Sequence, residues 1–325
     1  MMWGITDGSA GMQAQIKALA AAMGQPVEMK KIDIKKPFAW LPNSVHAALW
    51  PHSIVPGKLT AGSDALIAPW PKLVVSCGRR GALAAMSLRK HTPPHQPLYV
   101  NIQDPQMDPR LFDVVIAMAH DRLKGENVIV AEYALHAVTP EALAQAKVKF
   151  TPRFASYAAP RVAVLLGGST NKYTLTEKGM AQVIAQLKAV LAMQPCSLLI
   201  TPSRRTGEKN IAALRAAFAG EARVYIYDFV EENPYMGLLA LADHIIVTDD
   251  SVNMMTEAQA TGAPVHLLGL PGHKNTKPAR FGQMLEKKGS ARALAAKLER
   301  WSYTPSDEMQ KLVKKLELKL ANAVW

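Results

Sequence analysis

The sequence predicts an α/β protein of two domains, each with a parallel sheet covered by helices on both faces. Three observations indicate this class. The chain has 325 residues, which exceeds one typical domain. From Pro160 onward, short apolar runs alternate with segments of helical spacing. The first half of the chain repeats this alternation less regularly, which indicates a second α/β unit.

The second half contains five predicted strands separated by helices, and such alternation favours a parallel sheet. The clearest helical spacing runs through Met180, Ile184, Leu187 and Leu191, within 176–194. The five strand-like runs are 161–168, 197–203, 223–229, 244–250 and 264–270.

The chain divides into three predicted parts. Prolines and small residues interrupt the pattern over 149–161, so we place an N-terminal domain at 1–155 and a C-terminal domain at 156–305. Residues 306–325 contain an amphipathic helix with a lysine-rich face, which we expect to cross back onto the first domain.

Composition favours an ordinary globular protein of a reducing compartment. Hydrophobic residues make up 49% and charged residues 20% of the chain. Cys77 and Cys196 are far apart in apolar surroundings, so we interpret them as buried free thiols. No signal peptide is evident, and no apolar run nears the ~18 residues of a membrane span. We expect a cytoplasmic protein, with peripheral contact at the inner membrane face as a further hypothesis.

The net charge of +12 favours anionic partners such as phosphates or an acidic membrane surface. An insert over 30–62 mixes lysines with Phe38, Trp40 and Trp50. Two interpretations stay open for it: docking on an anionic membrane, or an irregular loop whose aromatic residues pack on the first domain. Nucleic acid is disfavoured as a partner, because the basic residues are scattered and no recognition motif is present.

Four turns in the second half carry polar chemistry where a strand ends. In an open parallel sheet, ligands bind outside the carboxyl ends of the strands, so we expect these turns to form one binding edge. The candidate binding residues are Gly167, Gly168 and Ser169 after the first strand, Ser203, Arg204 and Arg205 after the second, Asn233 and Tyr235 after the third, and Asp250, Ser251, Asn253, Met254 and Glu257 after the fourth.

Each turn has a chemical use and also a purely structural interpretation. Glycine amides can donate to phosphate, and paired arginines can bind phosphate oxygens bidentately. Ser251 or Asp250 can cap the next helix. An aspartate near a phosphate would repel it, so we expect Asp249 or Asp250 to be turned into a cap. Glu257 lies about two turns further and can accept both hydroxyls of a ribose. The alternative is a tight turn, a solvated arginine pair and a helix cap.

The first half offers a second edge with candidate general bases. Gly8 and Gly11 form a glycine-rich turn after the first strand, but the spacing is not the dinucleotide fingerprint. Asp7, Asp104 and His120 each follow a predicted strand, and each can act as a general base or simply complete a turn.

Motifs spread along the chain include 'WGITDGSAGMQAQ', 'LVVSCGRRGALAA', 'NIQDP', 'ITPSRRT' and 'TDDSVNMMTEA'. They resemble the elongated-mitochondria (mitochondrial fission) protein family over nearly the whole chain. More distantly, 'ALADHIIV' followed by 'TEAQATGAPV' resembles GT-B nucleotide-sugar glycosyltransferases of the cell-wall N-acetylglucosaminyltransferase type, which have two Rossmann-like domains facing across a cleft. That second resemblance implies that Glu257 holds the donor ribose and that the preceding turn, Asp250 to Met254, holds the diphosphate. The acceptor loop of those transferases contains a histidine, whereas this chain has 'TDGSAGM', so acceptor chemistry does not carry over.

We therefore expect a GT-B-like protein that binds a nucleoside-diphosphate sugar and transfers the sugar to an acceptor. The basic surface and the insert over 30–62 would suit an acceptor at a membrane. Two alternatives remain: a nucleoside-diphosphate-sugar epimerase on the same fold, and a non-catalytic scaffold of the membrane-division type. The nucleotide sugar is the substrate, and no cofactor or metal is implied.

Overall fold

The computed structural model describes residues 1–35, 60–94, 97–170, 173–272 and 276–323. The insert over 30–62 lies mainly outside the described residues. Membrane docking and packing on the first domain therefore both stay open as predictions for it. The chain forms two compact units, Met1–Ala137 with Asp307–Trp325 (unit 1) and Val138–Ser306 (unit 2). Within the described ranges, no helix is both long and apolar enough to cross a bilayer.

Unit 1 contains a six-stranded parallel sheet in the order β2-β1-β3-β4-β5-β6. Its helices are α1 (Ala10–Ala22), α2 (Gly78–Arg89) and α9 (Glu308–Ala323). Its strands are β1 (Met2–Thr6), β2 (Val27–Lys31), β3 (Leu73–Cys77), β4 (Leu98–Ile102), β5 (Val114–Met118) and β6 (Val128–Ala131).

Unit 2 contains a second six-stranded parallel sheet in the order β12-β11-β10-β7-β8-β9. Its helices are α3 (Pro140–Phe150), α4 (Glu177–Met193), α5 (Glu208–Ala217), α6 (Tyr235–Leu241), α7 (Val252–Gln259) and α8 (Lys277–Lys287). Its strands are β7 (Arg161–Leu166), β8 (Ser197–Pro202), β9 (Val224–Ile226), β10 (His244–Thr248), β11 (Val265–Leu268) and β12 (Ala291–Ala293).

The predicted α/β class with parallel sheets is confirmed. All five strands predicted in the second half are present, and β12 is a sixth that the sequence pattern did not indicate. Central strands β1, β3, β5 and β10 are buried at every position, as expected when helices cover both faces of a sheet. Each fully buried Val, Leu or Ile side chain contributes about 2 kcal/mol of hydrophobic stabilisation.

The division between the units lies before α3, whereas the sequence places the join near 155. Thr139 caps α3 by accepting a hydrogen bond from the Ala142 amide. Helix α3 packs on α6, where a Cβ at Gly237 would lie 2.4 Å from the Phe150 ring. This close approach fastens α3 and the turn after it to unit 2.

Helix α9 packs within unit 1, where it covers β5 and β6. The Glu308 carboxylate accepts hydrogen bonds from the amides of Glu132 (2.6 Å) and Tyr133 (2.8 Å), just beyond β6. The buried face of α9 carries Leu312, Val313, Leu316 and Leu320. Lys311, Lys314 and Lys315 are exposed.

A buried histidine pair lies at the amino ends of β10 and β11. His244 Nδ1 and His266 Nε2 are 3.2 Å apart, and the Trp301 ring packs edge-on against His266. Burial lowers the pKa of both imidazoles, that of His266 to about 4, where His244 and Arg292 lower it further. Around His244, Arg300 also lowers the pKa and Asp243 raises it.

We predict that unfolding becomes easier as pH falls from about 6.5 to 4. In this range the unfolded chain takes up protons on histidines that the native state keeps neutral. The free energy of unfolding is therefore not reduced by this effect above pH 6.5. The loss for His266 should reach roughly 3 kcal/mol. Urea denaturation of the wild type and of His266→Phe would measure it. The variant should show a shallower dependence on pH, and equal slopes would contradict the assignment.

Candidate functional site

The carboxyl ends of four neighbouring strands form one edge of unit 2. The strand order β10-β7-β8-β9 places the four predicted turns side by side, although β10 follows β9 in the chain. The chain therefore reverses its direction of winding between β7 and β10. Such a switch point leaves a crevice where ligands bind in open α/β sheets. Gly167 and Gly168 follow β7 at this point, and Asp249 and Asp250 follow β10.

The amides of the glycine turn are satisfied within the protein. Gly167 N–H donates to Thr248 Oγ1 (2.8 Å), Gly168 N–H donates to Asp250 Oδ2 (3.0 Å) and Ser169 N–H donates to the Arg205 carbonyl (2.9 Å). The sequence interpretation had these amides facing a phosphate. In the structure they hold the turn against neighbouring strand ends instead.

The two glycines are required by close packing. A Cβ at Gly167 would lie 2.1 Å from Asp250 Oδ1, and one at Gly168 would lie 2.2 Å from the Arg205 carbonyl oxygen. Both contacts are far inside van der Waals distance and involve rigid partners. Gly167 therefore permits the Asp250 carboxylate to lie directly under the turn, and Gly168 permits the close approach of the Arg205 backbone.

Asp250 is buried beneath the turn and does not cap a helix. Its Oδ1 accepts from Thr248 Oγ1 (2.6 Å), and its Oδ2 accepts from Gly168 N–H and from Arg205 Nη1 (2.8 Å). The Asp250 side chain is 0% exposed, whereas that of Arg205 is 40% exposed. The cap belongs to Ser251, whose Oγ accepts from the Met254 amide. Asp249 accepts a hydrogen bond from the Leu270 amide instead.

The two arginines of the second turn have different environments. Arg205 is committed to Asp250 and contacts the carbonyls of Gly168 and Ser169 at 3.4 Å. Arg204 is exposed, and no ion pair holds it within the described part of the chain. Only Arg204 is thus positioned to meet an anion without breaking an internal contact. Ser203 is half-buried and begins the turn that contains both arginines.

Glu257 is half-buried on α7 and is held by a residue from another turn. Tyr235, the first residue of α6, donates from Oη to Glu257 Oε2 at 2.5 Å. Burial raises the pKa of Glu257 to about 7, and the hydrogen bond from Tyr235 opposes that rise. Burial and the nearby Glu257 also raise the pKa of Tyr235 well above its usual value. A carboxylate perturbed in this way at a sheet edge is typical of functional sites.

The remaining predicted residues of unit 2 lie at the beginnings of helices. Asn233 is exposed, and its Oδ1 accepts from the Tyr235 amide (3.0 Å), so it fixes the start of α6. Asn253 and Met254 are half-buried in the first turn of α7. The structure thus brings Tyr235 and Glu257 into contact. It places Asn253 and Met254 at the start of α7.

Sequence reasoning missed Phe229, in the connection between β9 and α6. Its φ of 69° is in the left-handed region, which non-glycine residues rarely occupy. The ring is 39% exposed and packs against Tyr227 with centroids 5.0 Å apart. The next residue, Val230, is 85% exposed. Asp228 Oδ1 accepts from the Val230 amide (3.0 Å) across Phe229, so this aspartate is a local signal for a turn here.

Unit 1 has its own switch point between β1 and β3. Asp7 follows β1 and accepts from the amide (3.0 Å) and the hydroxyl (2.5 Å) of Ser9. Arg80, which follows β3, lies 4.0 Å from Asp7. Gly8 has a φ of 86°, and its backbone packs against the Lys31 side chain. Gly11 is exposed near the start of α1.

The three candidate general bases are spread along this edge. Asp104 follows β4 and accepts from the Gln106 amide (2.8 Å), a turn-forming contact. His120 lies in a short 3-10 turn after β5. Since β3 separates β1 from β4, only Asp7 lies at the switch point. Gln103 beside Asp104 has a φ of 73°, held by Asn101, whose Nδ2 donates to the Gln103 carbonyl (2.8 Å).

Two Rossmann-type units, each with a switch-point edge, place the chain in the GT-B-like fold class. A UDP-GlcNAc 2-epimerase from Methanocaldococcus jannaschii has a TM-score of 0.56 at 12% identity, with 98% of this chain and 100% of that chain covered. The UDP-GlcNAc 2-epimerase from Neisseria meningitidis, in a structure bound to UDP-GlcNAc, has a TM-score of 0.52 at 12% identity, with 99% and 92% covered. At these identities the similarity establishes the fold alone.

The chain belongs to the mitochondrial fission ELM1 family, whose model matches residues 10–319. The mitochondrial fission protein ELM1 of Arabidopsis thaliana is 29% identical over 282 residues, 78% of this chain and 65% of that protein. Uncharacterized protein RP120 of Rickettsia prowazekii is 25% identical over 293 residues, 77% of this chain and 80% of that protein. The chain therefore spans less than two thirds of the Arabidopsis relative. The family that the motifs resemble is confirmed.

We predict that Arg205→Ala destabilises the protein by about 2–4 kcal/mol, because it leaves the buried Asp250 carboxylate unpaired. Arg204→Ala, its matched control, should change the free energy of unfolding by less than about 0.5 kcal/mol. Adding Asp250→Asn to Arg205→Ala should recover part of the loss, since the buried charge disappears. Urea denaturation of the four proteins measures these differences. Equal effects of the two arginine variants would contradict the assignment.

Proposed function

We propose that the edge of unit 2 binds a nucleoside-diphosphate sugar and that the protein transfers the sugar to an acceptor. The observation that carries this proposal is the half-buried Glu257 carboxylate, held through Oε2 by Tyr235 beside the β7–β10 switch point. Among the described residues, no other hydrogen bond engages Glu257. A carboxylate so placed suits a pair of adjacent hydroxyls, such as those of a ribose.

The diphosphate would lie between Arg204 and the first turn of α7. The glycine-turn amides are already engaged, so we assign the diphosphate to the exposed Arg204 guanidinium and to the positive amino end of α7, which Ser251 caps. Amides at a helix start favour an anion, and a guanidinium can pair with two phosphate oxygens. Phe229 and Val230 expose apolar surface in the connection that leads to Tyr235, which suits a nucleobase. The fold is one in which UDP-GlcNAc has been bound in the Neisseria meningitidis epimerase.

In the transfer, the oxygen of an acceptor hydroxyl would form a bond to the anomeric carbon while its proton passes to a base. The bond from that carbon to the diphosphate would break, and the nucleoside diphosphate would leave with the electron pair. Asp7 is the candidate base in unit 1, because it alone of the three lies at the switch point. The charge of +12 supports an acceptor at an anionic membrane surface. Peripheral attachment through the 30–62 insert remains part of this proposal.

We predict that one family of nucleoside diphosphates raises the melting temperature, because a ligand that binds only the native state stabilises it. A thermal-shift screen of UDP, GDP, TDP and CMP nucleotides with their common sugars tests this. Glu257→Gln should weaken binding about 10-fold or more, since its amide cannot accept two hydroxyl donors equally well. Arg223→Ala is the control, because Arg223 lies at the amino end of β9, opposite the carboxyl ends that form the site. This variant should bind the nucleotide normally.

The same binding should depend on pH. Glu257 accepts two donors only when ionised, and its pKa is near 7, so affinity should rise between about pH 6 and 8 and then level off. In Glu257→Gln the profile should be flat over this range. No shift with any nucleotide in the wild type would rule out the donor site.

We predict that a sugar-labelled donor selected by the screen yields labelled acceptor and an equal amount of nucleoside diphosphate when membrane lipid extract is present. Asp7→Asn should lower this rate at least 10-fold while donor binding persists. Label in a new sugar nucleotide without free diphosphate would instead identify an epimerase. Donor binding without any product would favour the scaffold alternative.

A further inference from the structure

The segment that follows α3 holds the connection between β9 and α6. Residues 228–233 of that connection are all exposed, and Phe229 within it has a left-handed backbone. Local contacts shape this connection, since Asp228 Oδ1 accepts from the Val230 amide (3.0 Å) and Tyr227 Oη donates to the Glu231 carbonyl (3.2 Å). Contacts from outside the connection are needed to fix such a strained, exposed segment relative to the rest of unit 2. Arg153, in the turn after α3, supplies such contacts.

The Arg153 guanidinium meets three separate groups. Nη2 donates to the Tyr225 hydroxyl of β9 (2.6 Å), and Nη1 donates to the Glu232 carbonyl (2.9 Å). The guanidinium also forms an ion pair with Glu231. Its carbon lies 5.5 Å from the ring centroids of both Phe154 and Tyr225. The side chain is 23% exposed, so these charge-assisted contacts are partly protected from water.

The anchor of this guanidinium is rigid. Phe154 is fully buried and packs edge-on against Tyr225, with centroids 5.0 Å apart. Helix α3 itself is fixed by the contact of Phe150 with Gly237 of α6. By contrast, the ion pair of Lys149 with Glu232 is exposed on both sides and contributes little.

A short path leads from this anchor to the proposed ribose carboxylate. Glu232 precedes Asn233, whose Oδ1 accepts from the Tyr235 amide and begins α6. Tyr235 then donates to Glu257. We propose that Arg153 is a positioning residue, which fixes the 228–234 connection so that Tyr235 stays against Glu257 and Phe229 stays exposed toward ligand. This inference rests on the function proposed above.

Arginine is specific for this task. Its planar fork can donate to a carbonyl and a hydroxyl while it pairs with a carboxylate, whereas the point charge of a lysine cannot reproduce that geometry. We therefore expect Arg153→Lys to behave like Arg153→Ala. Arg223→Ala is the matched control, because Arg223 also joins a carboxylate, Glu221, to a backbone carbonyl, Leu191, but away from the connection.

The test has two readouts on the full chain. The first is hydrogen exchange of the backbone amides of 228–233 and of Tyr235, since Pro234 has no N–H. Exchange should be at least 10-fold faster in Arg153→Ala and Arg153→Lys and unchanged in Arg223→Ala. Exchange in β7 serves as the internal reference for global stability. This readout needs no nucleotide, so it remains decisive if the proposed function fails.

The second readout is binding of the nucleoside diphosphate (UDP, GDP or TDP) that the thermal-shift screen selects. In both Arg153 variants the affinity should fall about 10-fold. The pH midpoint of binding should also move below 7, because burial is the main cause of the raised pKa of Glu257 and a loosened connection admits water. A purely structural arginine would not move this midpoint.

The outcomes separate the two proposals. Unchanged exchange over 228–235 overturns the role of Arg153, as does faster exchange with unaltered affinity and pH midpoint. A wild type that binds no nucleotide overturns the proposed function. In that case, faster exchange in the Arg153 variants still supports the role of Arg153 in fixing the 228–234 connection.

Discussion

The geometry of the edge of unit 2 depends on the hydrogen bonds and ion pair of the buried Asp250 carboxylate. It joins the amide after β7, the guanidinium after β8 and the hydroxyl that ends β10. One acidic group thus fixes three strand ends relative to one another. The same carboxylate removes the glycine turn from the set of possible ligand donors. The chemistry of the edge therefore depends on the groups that Asp250 leaves unengaged.

Both units place an acidic group near an arginine at their switch points, but the two pairs differ. Asp7 and Arg80 are 4.0 Å apart with 19% and 38% of their side chains exposed. Asp250 and Arg205 are 2.8 Å apart, and the aspartate has no exposure. A buried pair strongly resists separation, whereas a loose and hydrated pair can exchange partners at little cost. The unit 1 pair is therefore the more easily separated of the two, whereas the unit 2 pair fixes strand ends.

Much of the fold was predictable from sequence, because its signals are local. Apolar runs that end in glycine or aspartate predicted the strands, and Ser251 was correctly among the expected caps. Helix α3 was missed although Thr139, Pro140 and Glu141 form a standard helix start, because the prolines that follow suggested a linker. Strand β12 has only three residues and gives no periodic signal.

The candidate site was predictable in position but not in detail. Strand ends and the switch-point rule locate its residues, since both follow from topology. The contact of Tyr235 with Glu257 joins residues 22 positions apart, and that of Arg153 with Tyr225 joins residues 72 apart. Periodicity carries no information about such pairs. The same limit explains why Asp250 was expected to be a cap rather than a buried anion.

The return of α9 to unit 1 has a consequence for synthesis on the ribosome. Unit 2 is a continuous stretch, so it is complete once Ser306 has emerged, whereas unit 1 needs residues from both sides of that stretch. Domains generally fold as units as they appear. The β5–β6 side of unit 1 therefore waits for Leu312, Val313, Leu316 and Leu320, which arrive last. The nascent chain should thus finish its second unit before its first, and the apolar face over β5 and β6 stays uncovered until then.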